Sequence, residues 1–208
     1  MNLPLHDDPL ALRLPPHAAD GRRRLVGELP LDDGALSDFN ALLGILAPDA
    51  PRVDADQVVT LARWLELQPR AHAEAVVGER LQRAAQLHRL LEDDDWTVDA
   101  TFGERARHLL DYLHRVDDLI PDDRPLVGQL DDALLVELSW RSFDAAALDY
   151  ADYCRFRAAA RPGGGAADRI MAWENDCLAH AALLMQRRSV RAHRYVDAGD
   201  FPDRFRVG

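Results

Sequence analysis

The chain contains no lysine; all 25 of its basic residues are arginine. This excludes a lysine Schiff base, a lysine general base and the glycine-rich phosphate loop that closes on Lys-Ser or Lys-Thr. Together with heavy use of alanine, leucine, arginine and aspartate, it points to a GC-rich bacterial genome. Cysteine is scarce. Cys154 and Cys177 are the only two, and both fall inside helical patterns. Buried reduced thiols are expected, with a disulfide between the last two long helices as the alternative. No apolar run approaches the ~18 residues that span a bilayer. The opening residues Met1 to Asp8 do not read as a leader, so a cytoplasmic protein is expected. His-Glu-x-x-His is missing, as are a nucleophile-elbow serine and a glycine-rich loop following a strand. The glycine run Gly163–Gly165 joins helix to helix and reads as a linker. Internal repeats and low-complexity tracts are also missing.

What the chain does have is the makeup of a folded domain. Its 208 residues suffice for one substantial core or two small ones, and 48% hydrophobic content is globular. Asp+Glu number 36 against Lys+Arg 25, a net charge of −11. Such a surface repels phosphate backbones and anionic lipid, so neither nucleic-acid binding nor stable membrane insertion is expected. It suits a basic protein partner, and a homodimer stays open.

Taken in order, residues 1–35 read as an irregular arm, because Pro4, Pro9, Pro15, Pro16 and Pro30 forbid a long helix. Within it Ala11–Leu14 and Arg24–Leu29 can pair as short strands. The run Arg22-Arg23-Arg24 is expected to pair with the chain's own carboxylates, the alternative being a partner site. Helices are predicted over 37–47, 54–67, 70–91, 101–119, 132–160 and 166–190. Capping boxes at Asp54-x-x-Gln57 and Thr101-x-x-Glu104 mark two starts. Val76, Val77, Leu81, Ala84, Leu87 and Leu91 form the apolar stripe of the third helix. The fifth, apolar on more than one side, is expected to be central. In the last helix Ile170, Trp173, Cys177, Ala181 and Leu184 are expected inward. Arg161-Pro-Gly-Gly-Gly165 is the clearest hinge. Residues 197–208 read as an extended tail, with Phe201 and Phe205 able to clip onto the body. The fold class is therefore all-α: a single-domain bundle of about six helices, with the helical domain at 36–196.

The most structured irregular stretch runs from Asp118 to Asp132. Pro121 stops the preceding helix. Asp122 and Asp123 are turn acceptors, Pro125 holds Arg124 extended, and Gly128 can supply a positive φ. Asp131 or Asp132 is a natural N-cap. Leu119, Ile120, Leu126, Val127 and Leu130 are driven between the flanking helices. The order Tyr112…Asp118-Leu-Ile-Pro121-Asp122-x-x-Pro125-x-x-Gly128-x-Leu130-Asp131-Asp132 resembles the signature of the YkvA-like domain of unknown function, over about residues 105–140. The resemblance implies a short helical module found in many bacterial proteins, often small and membrane-associated, with no established reaction. This chain carries Asp123-Arg124 and Gln129 where apolar or aromatic residues are usual, which removes the expectation of membrane association.

Three kinds of site come into question. Asp118, Asp122, Asp131 and Asp132 bracket a tight loop, and clustered carboxylates hold Mg²⁺ or Ca²⁺ or act as an acid–base pair. The plainer reading makes them caps and turn acceptors, so no metal, catalytic residue or cofactor is favoured. Asp111, His114 and Asp118 share one helix face, where ion pairs with Arg107 and Arg115 are the plainer use. His180 reads as a core histidine, and Arg187 to Arg194, with His193, as a basic face. The expected function is a non-enzymatic interaction or scaffold module with a protein partner. The alternatives are an acidic antitoxin or immunity-type protein binding a basic partner, and a carboxylate-dependent metal-binding hydrolase.

Overall fold

The computed structural model describes residues 12–17, 23–115, 118–121, 124 and 126–192. The described residues form an all-α fold with one short hairpin. They fall into two compact units, residues 1–152 and 153–208.

In the first unit the hairpin pairs β1 (Leu25–Val26) with β2 (Leu29–Pro30), antiparallel. Instead of pairing with Ala11–Leu14, the second expected segment, Arg24–Leu29, folds back on itself and runs one residue further, to Pro30, while residues 12–17 form no strand. The cause is Gly27, whose φ of 60° lets the chain reverse within two residues. The arginines beside it pair with the chain's own carboxylates as expected. Arg24 meets Asp33 at 2.6 Å, and Arg23 lies 3.8 Å from Asp56; Arg22 lies outside the described residues.

Helix α1 (Asp33–Leu46) starts earlier than expected, because Asp32 caps it through the Ala35 N–H at 2.8 Å. Helix α2 (Ala55–Leu67) begins at the capping box read from Asp54 and Gln57, with both reciprocal bonds formed. Helix α3 (Arg70–Glu92) follows Pro69. Its buried stripe is Ala73, Val76, Val77, Arg80, Ala84, Leu87 and Leu90, so Arg80 and Leu90 take places expected of Leu81 and Leu91. Arg80 tolerates complete burial because Glu137 and Glu79 accept from it at 2.8 and 3.2 Å.

Helix α4 (Ala100–Tyr112) is capped by Asp99, not by the box at Thr101, and ends seven residues sooner than expected. Helix α5 (Leu130–Ser139) and helix α6 (Asp144–Ala160) correct the expectation of one long helix over 132–160. A 3-10 turn at Trp140–Ser142 separates them, and the Ser139 hydroxyl bonds back to the Leu135 carbonyl at 2.7 Å. Leu130 to Val136 are all buried, and α5 packs against α1, α3 and α4. It is the central helix of this unit. Tyr150 on α6 donates to Asp93 at 2.9 Å, and Phe143 meets Phe102 edge-on.

In the second unit, Arg161 to Gly165 break the helix as expected, with φ of 48° at Arg161 and 92° at Gly164. Helix α7 (Ala166–Ala192) follows. Trp173 packs edge-on against Tyr153, and Ile170 and Cys177 are half-buried. Ala181 and Leu184, expected inward, are exposed. Cys154 and Cys177 are half-buried, reduced cysteines. Residues 193–208, with His193, Arg194, Phe201 and Phe205, lie outside the described residues. No described helix is long and apolar enough to cross a membrane.

Candidate metal centre at the acidic corner

The corner between α4 and α5 is built around one carboxylate. Asp131 lies in the first turn of α5, not at its N-cap, which is Gln129. There the unpaired N–H groups and the helix dipole favour negative charge. Asp131 is 0% exposed and Asp132 6%. Three donors converge on Asp131 Oδ2: the Tyr112 hydroxyl at 2.9 Å, the Leu119 N–H at 3.2 Å and the Ile120 N–H at 3.3 Å. These bonds explain why α4 cannot run on to Leu119. A continuing helix would spend those two N–H groups on its own carbonyls, whereas here they turn to Asp131.

Asp118, Asp131 and Asp132 each place one carboxylate oxygen within 4.8 Å of the others. Among the described residues this is the one such group of three possible metal ligands. Asp118 is half-buried as a residue, and both of its carboxylate oxygens are buried. The other oxygen of Asp131, Oδ1, is buried and meets no hydrogen-bonding group among the described residues. Burial and the neighbouring charge of Asp118 raise the Asp131 carboxyl to about 7, against the lowering effect of its Tyr112 and Ile120 bonds. The same burial and the Asp131 charge push the Tyr112 hydroxyl far above its usual range. Near neutral pH the Asp131 carboxyl is therefore poised between its protonated and ionised forms. The cluster's all-oxygen donor set suits a hard divalent ion.

The sequence-derived candidates divide accordingly. Asp118, Asp131 and Asp132 are brought together. Asp122 and Pro125 lie outside the described residues, and Pro121 is half-buried beside Ile120. Gly128 does not carry the positive φ expected of it. It sits inside a 3-10 turn, Val127–Gln129, and its N–H donates to the Arg124 carbonyl at 3.1 Å. The positive φ falls instead on Leu126, at 70°. Leu119, Ile120, Val127 and Leu130 are buried as expected, while Leu126 is half-buried. Asp111 is exposed on α4, His114 is exposed just beyond its end, and Asp118 lies further along the chain outside the helix. His114 Nδ1 instead lies 2.6 Å from the Leu110 carbonyl.

Two features were missed at the level of sequence. Tyr112 was legible as part of the signature but not as the donor to Asp131. Arg124 ties the corner to the hairpin, donating to the Val26 carbonyl at 2.7 Å. Elsewhere a cavity of about 570 Å³ is lined by Ala47, Pro48, Pro51, Glu137, Trp140 and Arg141 among others. Arg83 at its wall stacks over Trp140 at 5.5 Å and pairs with Glu79 and Glu137. Comparison with protein-family models, with curated proteins and with solved structures finds no match to this chain.

Proposed function

We propose that this protein binds a hard divalent cation, Mg²⁺, Mn²⁺ or Ca²⁺, with Asp118, Asp131 and Asp132 as its carboxylate ligands. The observation that carries the reading is the convergence of the three acids, with the Asp131 Oδ1 atom buried and unbonded among the described residues. A divalent ion would bring positive charge among three converging carboxylates. Metal-assisted hydrolysis is the activity to assay. The ion also fastens the start of α5 to the chain leaving α4, within the stretch that resembles the YkvA-like signature.

The test is a titration of chelator-treated protein with each ion, followed by calorimetry and melting temperature. Saturable binding at one ion per chain and a rise in melting temperature are expected, both lost in Asp131→Asn and Asp132→Asn. Flat curves for all three ions sink the reading. A second reading, a non-enzymatic interaction module, draws on the exposed apolar side chains of α7.

A further inference from the structure

Helix α7 carries a feature independent of the acidic corner. Its residues follow a seven-residue repeat. Ile170, Cys177 and Leu184 fall on one line along the helix, and Met171, Leu178 and Met185 on another. Ala167, Glu174, Ala181 and Arg188 occupy the line between them. The three lines form one stripe, apolar except for Glu174 and Arg188. Toward the C-terminal end this stripe is uncovered. Every residue from Leu178 to Ser189 is exposed, Leu178 at 68% and Met185 at 71%. Trp173, which meets Tyr153, lies to one side of it.

The two charges in the stripe are opposite in sign and lie seven residues either side of Ala181. We propose that this face pairs with the same face of a second copy, antiparallel, about a twofold axis at Ala181. Each Glu174 then meets the partner's Arg188, Leu178 falls level with the partner's Leu184, and Cys177 with the partner's Met185. The small Ala181 side chain lets the two helices approach at the crossing. A parallel pair would set Glu174 against Glu174 and Arg188 against Arg188, which like-charge repulsion opposes. A twofold interface needs such a self-complementary surface. With 27 residues, the helix offers a seam about 40 Å long.

The experiment is sedimentation equilibrium of the full chain in reducing buffer, over roughly a hundredfold range of concentration. A concentration-dependent dimer is expected. Leu178→Glu should return it to monomer with unchanged helical circular dichroism, since that side chain is exposed. Arg188→Glu and Glu174→Arg should each weaken association about tenfold or more, and the double variant Glu174→Arg/Arg188→Glu should restore it. The restoration separates antiparallel pairing from unspecific apolar association, which charge exchange would not rescue. A monomer at every concentration overturns the proposal, as does a dimer indifferent to Leu178→Glu or a double variant no better than the singles. A monomer that Leu178→Glu destabilises also overturns it, because the face would then be covered within one chain.

Discussion

The Tyr112 hydroxyl, at the last residue of α4, donates to the Asp131 carboxylate across 19 residues of sequence, at 2.9 Å. Both partners are buried. The bond joins the end of one helix to the start of the next. Tyr112→Phe should therefore cost about 1–2 kcal/mol, since it removes a donor from a buried carboxylate. Urea unfolding measures this. An unchanged midpoint would mean that the bond is not made in solution.

Asp131 also sets a pH dependence, and its sign follows from the direction of its shift. Its carboxyl is raised from 3.8 to about 7, so the folded chain holds this proton more tightly than the unfolded chain does. Chelator-treated protein should be most stable near pH 4 with respect to this group and lose stability as pH rises to about 7. The loss is at most ~4 kcal/mol, from 1.36 kcal/mol per pH unit over that interval. A bound divalent ion favours the ionised form and should flatten the slope. Melting temperatures at pH 4.5 to 8, with and without Ca²⁺ or Mg²⁺, check both statements.

Asp131→Asn makes the two effects separable. The amide cannot ionise, so the downward slope with rising pH should shrink in chelated protein. The response to cations should vanish in the same variant. Retained cation stabilisation would place the ion elsewhere.

A different charge matters on α3. Arg80 is completely buried, and its principal partner Glu137 lies 57 residues away. Arg80→Met should strip Glu137 of one of its two arginines and destabilise by about 3–5 kcal/mol. The pair Arg80→Met/Glu137→Leu should recover part of that loss. Thermal unfolding of the four proteins of this cycle reads the coupling.

Gly27→Ala should destabilise by about 1 kcal/mol or more, because Gly27 has a φ of 60°. An added methyl would also lie 2.8 Å from Arg124 Nη1, the group that bonds Val26. Equilibrium unfolding checks this, and a parent-like midpoint would mean that the hairpin turn is not as described.

What the sequence made legible was mostly local. Asp54 and Gln57 announce α2 because cap and partner lie within one turn of helix. The same pattern at Thr101 and Glu104 misleads, because Asp99 stands two residues earlier and takes the cap. Asp131 or Asp132 was expected to be the N-cap, but Gln129 holds that place and both acids lie in the first turn behind it. What sequence spacing could not reveal is that the Asp131 carboxylate faces inward, since that depends on Tyr112, Leu119 and Ile120 closing over it. Arg80 was unreadable for a similar reason: an arginine on an apolar stripe shows its burial only once Glu137 is seen beside it. The break after Ser139 was hidden because Trp140, Arg141 and Ser142 carry no proline or glycine to signal it.

The enclosure of α5 has an evolutionary corollary. From Leu130 to Val136 the helix presents no solvent face, so that heptapeptide has nowhere to absorb neutral drift. In a saturation library selected for folded protein it should form a trough of intolerance, while exposed positions of α7 such as Ala179 and Gln186 accept most replacements.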